Sequence, residues 1–108
     1  MLDGPKESKM RRLFFVTTND ETMDAAIRGA IEEHFPAENY PLGRGQWIVA
    51  AEGTSKELSD KLGVTTTEAN PNPLISNTIV LGIAGYYGRH SRDMWEWMAS
   101  RLEKPVSA

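Results

Sequence analysis

The chain is 108 residues long, 40% hydrophobic and 25% charged, with a formal net charge of -3 and no cysteine. That is room for one domain with its own core, in a mixture typical of folded rather than disordered proteins. A disulfide framework, a thiolate nucleophile and cysteine-held zinc are excluded, and no global positive field advertises nucleic-acid binding. The longest apolar runs, Ile79 to Ile83 among them, are far too short to span a bilayer, and the opening residues lack an apolar signal-peptide core. The expectation is a cytoplasmic protein with no membrane partner.

Residues 1–10 mix Gly4, Pro5 and charges without periodicity and read as a flexible lead-in to a domain over residues 11–103. Arg11-Arg12-Leu13-Phe14-Phe15-Val16-Thr17-Thr18 is rich in β-branched and aromatic residues, which predicts a strand apolar on both faces and therefore central. Asn19-Asp20-Glu21-Thr22 marks a helix start, with acids where the positive end of the dipole favours them. Met23, Ile27, Ala30, Ile31 and His34 then recur at three- and four-residue spacing, predicting one apolar stripe until Pro36 stops the helix.

Asn39 to Leu42 and Gln46 to Ala51 flank Gly43-Arg44-Gly45, a backbone permissive enough for a tight reversal. The spacing predicts a hairpin whose first strand, carrying Pro41, lies at a sheet edge. Thr54-Ser55-Lys56-Glu57 is a capping box, Leu58 and Leu62 give that helix its apolar side, and Gly63 supplies a left-handed exit. Thr65 to Pro73, with Asn70-Pro71-Asn72-Pro73, reads as a loop. Asn77 to Ala84 is a continuous apolar run, as in a strand covered on both faces or in a sheet centre, and Gly82 and Gly85 suggest a close approach to its backbone. Ser91 is an N-cap for a last helix over Arg92 to Glu103, and residues 104–108 read as a flexible tail.

The order β-α-β-β-α-β-α predicts an α+β fold, a ferredoxin-like β-α-β-β-α-β sandwich with an additional C-terminal helix. The sheet face away from the two internal helices must also be covered, by the last helix or by a second copy of the chain. Trp95 and Trp97 diverge on that last helix, so at least one of them needs a covering surface off the apolar stripe. This makes both candidates for a homodimer contact.

No Walker-type cradle, nucleophile elbow or histidine pair at metal-ligand spacing is present. Asp20, Glu21 and Asp24 gather where the first strand becomes the first helix. Carboxylates there suit helix-dipole complementarity, and Asp20 with Asp24 could alternatively hold Mg²⁺ for phosphodiester cleavage, with Asp20 as the catalytic residue. Tyr86, Tyr87, Arg89, His90 and Arg92 combine stacking rings with donors beside a helix start, a set suited to a phosphate or a nucleobase. Arg44, at a glycine-flanked tip, is a further candidate for binding.

The Phe14-Phe15-Val16-Thr17-Thr18 strand, Gln46-Trp47-Ile48-Val49, Thr54-Ser55-Lys56-Glu57-Leu58 and the Ile79 to Tyr87 stretch resemble, in order, small CRISPR-adaptation nuclease-like proteins. The likeness is to their short stand-alone bacterial relatives, related in turn to virulence-associated toxin nucleases. It implies a ferredoxin-like protomer that dimerises through its sheet, with an aspartate ending the first strand beside a divalent metal. Here Asn19 stands closest to that aspartate, with Asp20 one residue later. A neutral amide is a poorer Mg²⁺ ligand and carries no charge to activate water. The resulting expectation is a homodimeric, non-catalytic relative with a nucleic-acid-associated (RNA or DNA) or regulatory role and no cofactor. A Mg-dependent endonuclease using Asp20 and a protein-interaction module are the alternatives.

Overall fold

In a computed structural model, residues 11–103 are described; the lead-in at 1–10 and the tail at 104–108 lie outside them. The elements run β1 (Arg11–Thr18), a 3-10 turn (Glu21–Met23), α1 (Asp24–His34), β2 (Asn39–Gly43), β3 (Gln46–Glu52), α2 (Ser55–Leu62), β4 (Thr78–Gly82) and α3 (Arg92–Glu103). The four strands form one sheet in the order β2-β3-β1-β4. All three pairings are antiparallel. This is the α+β, ferredoxin-like arrangement with an added C-terminal helix.

Alternation along the central strands sorts side chains between two cores. Phe14 and Val16 of β1 join Trp47 and Val49 of β3 under Ile27 and Ile31 of α1 and Leu58 and Leu62 of α2. On the opposite face Leu13, Ile48 and Ala50 meet Met94 and Met98 of α3. The last helix thus supplies the second cover from within the chain. Its far end is tied down by charge: Glu38 Oε1 lies 2.7 Å from Arg11 Nη1 and 2.6 Å from Arg101 Nε. The Arg101 Nε contact is Coulombic, since this buried nitrogen makes no hydrogen bond, while Nη2 donates to the Ala37 carbonyl at 2.9 Å.

Local chemistry places the helix ends. Thr54 Oγ1 accepts from Glu57 N and Glu57 Oε1 accepts from Thr54 N, closing the capping box, and Gly63 leaves α2 in the left-handed region at φ 86°. Ser91 Oγ accepts from Met94 N at 3.3 Å, which starts α3.

Three expectations need correction. The strand at Thr78–Gly82 lies at the sheet edge and is not covered on both faces: Ile79 is 56% and Leu81 49% exposed. An unbroken apolar run reads the same whether its second face is packed or bare, so sequence could not separate the two. Nothing crowds its glycines either. A Cβ on Gly82 would meet Ser55 Oγ at an ordinary 3.6 Å, and one on Gly85 would meet nothing within 4 Å. His34, finally, is exposed at the end of α1, with its ring 6.4 Å from that of Phe35, and adds nothing to the stripe formed by Ile27 and Ile31.

Among the described residues, no helix is long and apolar enough to cross a membrane.

Candidate functional site

Two places bring together the residues that the sequence singles out. The first is a cavity of about 580 Å³ at the C-terminal end of β1, lined by Thr18, Asn19, Asp20, Glu21, Asp24, Arg44 and Gly45. The acidic cluster and the hairpin-tip arginine, far apart in sequence, therefore share one cleft. The backbone enforces this. Gly43, Arg44 and Gly45 turn through φ of 88°, 57° and 76°, and Thr18 N donates to the Gly45 carbonyl at 2.9 Å, clipping the tip to the end of β1.

Asp20 is held tightly in this cleft. It caps the turn before α1, with Oδ1 accepting from Thr22 N at 2.9 Å and from Thr22 Oγ1 at 2.6 Å. Its Oδ2 accepts from Asn77 Nδ2 at 3.0 Å. Asn77 is itself in the left-handed region at φ 53°, and its carbonyl accepts from Thr18 Oγ1 at 3.0 Å. The loop before β4 is thereby tied to the loop after β1. These bonds, the Thr22 hydroxyl foremost, then the Asn77 amide and the Thr22 N–H, hold the Asp20 carboxyl below the usual carboxylate range.

Such a donor set is a poor fit to Mg²⁺. Asp20 Oδ1 is engaged by the turn and Oδ2 by Asn77, and Asp24 Oδ2 accepts from Arg28 Nη2 at 2.7 Å. Among the described residues no three His, Cys, Asp or Glu side chains gather as a metal-holding group. What the arrangement does provide is acid sensitivity. A carboxyl titrating lower in the folded than in the unfolded chain stabilises fully above about pH 4, and that contribution fades as pH falls through the folded value. Asp20→Asn should therefore flatten the acid limb of a plot of Tm against pH while preserving the shape of the curve near neutrality, as followed by thermal unfolding.

The second place is a groove of about 410 Å³ across the α3 face, to which Tyr86, Tyr87, Arg89 and His90 all contribute. Its floor is Phe15, Leu42, Ile48, Met94 and Met98, a set hidden in sequence because it comes from β1, β2, β3 and α3. The alternation of β1, which sends Leu13 and Phe15 to this face, is the signal that could have found its floor. The Tyr86 ring stacks on Trp95 at 5.8 Å and 15°, and Tyr87 is fully exposed. Arg44 belongs to the other cleft, and Arg92, exposed at the start of α3, does not line the groove.

The two indoles find cover inside the chain: Trp95 under Tyr86, and Trp97 against Tyr40 at 5.7 Å with the Arg101 guanidinium 4.9 Å from its ring. Each indole thus has a neighbour inside the chain and stays half-buried. Comparison with protein-family models, curated proteins and solved structures finds no match.

Proposed function

We propose that the protein is a nucleic-acid-associated binding or regulatory protein of the cytoplasm that works as a homodimer and cleaves no phosphodiester bond. The observation that carries this reading is the α3 groove, where stacked and exposed aromatic rings stand beside Arg89 and His90. Rings offer sequence-tolerant stacking to bases, and guanidinium groups offer bidentate donors to phosphate. A local basic rim of this kind supports binding even in a chain of net charge -3. The reading fits a relative of the CRISPR-adaptation nucleases in which Asn19 has replaced the metal-binding aspartate and Asp20 has become a turn cap.

A second copy is supported by the asymmetry of the sheet edges. The β2 edge carries Pro41 and a register irregularity between Pro41 and Gly43, both of which discourage strand addition. The β4 edge has neither a proline nor a charge, and it exposes Ile79 and Leu81. Sedimentation should give twice the chain mass, and Leu81→Lys should return it to that of a single chain.

Incubation with labelled RNA and DNA in Mg²⁺, in Mn²⁺ and in EDTA tests the central part. The expected result is binding that EDTA leaves unchanged, with every strand intact. Metal-dependent cutting abolished by Asp20→Asn would overturn the proposal and establish a Mg-dependent endonuclease. Binding to neither polymer would overturn it in favour of a protein-interaction module.

A further inference from the structure

We infer that the α3 groove takes one unpaired nucleotide, with its base on the Tyr87 ring and its phosphate on Arg89 and His90, so that the ligand is a single-stranded segment rather than a duplex. This rests on the nucleic-acid reading above and adds the substrate class and the residue that selects it.

Tyr87 decides the matter. A tyrosine exposed over its entire surface buries no area for the fold, yet here it stands at the rim of an apolar groove. Its neighbour Tyr86 is stacked on Trp95 at 5.8 Å, which ties the segment that carries Tyr87 to α3 at one residue. One ring is thus held by the chain and the next is presented to solvent, as a stacking platform requires. The charge beside it is unspent. Among the described residues the ion pairs engage Arg11, Arg28, Lys56 and Arg101, and none engages Arg89. His90 Nδ1 lies 3.3 Å from Ser91 Oγ, which leaves Nε2 for a ligand oxygen.

Base pairing decides the class of ligand. In a duplex the flat faces of the bases are stacked on one another and inaccessible to a protruding tyrosine, whereas an unpaired base offers its face freely. A groove of about 410 Å³ is small for a polymer-tracking channel and suits one nucleotide unit at a time.

The test compares a labelled single strand with a blunt duplex of the same sequence, in RNA and DNA versions, by fluorescence anisotropy. Single strands of one or both polymers should bind at least about tenfold more tightly than the duplex. Tyr87→Ala should weaken that binding by about tenfold or more, in line with the loss of one stacked base, while Tyr87→Phe should retain it. Equal affinity for strand and duplex, or indifference to Tyr87→Ala, would overturn the inference and leave the nucleic-acid reading standing. Binding to neither would overturn both.

Discussion

Gly45→Ala should lower the stability of this protein by about 2–4 kcal/mol, although it adds a single methyl group. Two penalties coincide there. The backbone sits at φ 76°, where an L side chain is strained, and the added Cβ would lie 2.8 Å from the Thr18 carbonyl oxygen and 2.9 Å from Thr18 Cγ2. The nearest of those atoms is backbone in the central strand, so it cannot swing aside. A loss of that size corresponds to a Tm lowered by roughly 10–25 °C in a domain of this length. Gly43→Ala is the matched control. Its φ of 88° is equally unfavourable, but nothing lies within 4 Å of the new Cβ, so only the conformational penalty of about 1–2 kcal/mol applies. Thermal unfolding of the two variants separates strain from collision. Equal losses would mean that the hairpin tip is not clipped to β1 as described.

Phe14→Ala should be the most damaging single truncation, at about 3–5 kcal/mol from a total stability on the order of 5–15 kcal/mol. The ring is 2% exposed and sits among the side chains of α1, α2, β1 and β3. Leu13→Ala, one residue away, tests the opposite face. Leu13 is also 2% exposed, but its neighbours are Met94 and Met98 of α3. If α3 packs on the sheet as described, urea unfolding of Leu13→Ala should show a loss of about 2–5 kcal/mol. A loss below about 0.5 kcal/mol, the range of surface substitutions, would mean that α3 does not cover this face.

Much of this architecture is legible in the residues themselves, because the signals are local. The Thr54–Glu57 capping box, the left-handed exit at Gly63, the glycines around Arg44 and the Ser91 cap each act within a few residues of where they stand. Pro41 marks its strand as an edge for the same reason, since a missing N–H is a property of one position. Non-local facts were not legible. Nothing in Ile79-Val80-Leu81 states that one of its faces would remain bare, because that depends on how far α3 and the segment before it reach across the sheet. Asn77 gave no sign of being the partner of Asp20, since the two meet only when β4 pairs with β1. The groove floor was likewise invisible, being gathered from four elements that only the sheet order brings together. Sequence pointed to Tyr86, Tyr87, Arg89, His90 and Arg92 as a set; the fold adds the apolar groove beneath the first four and leaves Arg92 outside it.

The salt dependence of strand binding is the most direct measure of whether that set does what we propose. Contacts to phosphate release condensed counterions, so log K should fall linearly with log salt concentration for a labelled single strand. Arg89→Ala should flatten that slope by about 0.7, the share of one phosphate contact on a single strand. An affinity that ignores salt, or a slope that Arg89→Ala leaves untouched, would contradict the account and remove the groove from nucleic-acid recognition.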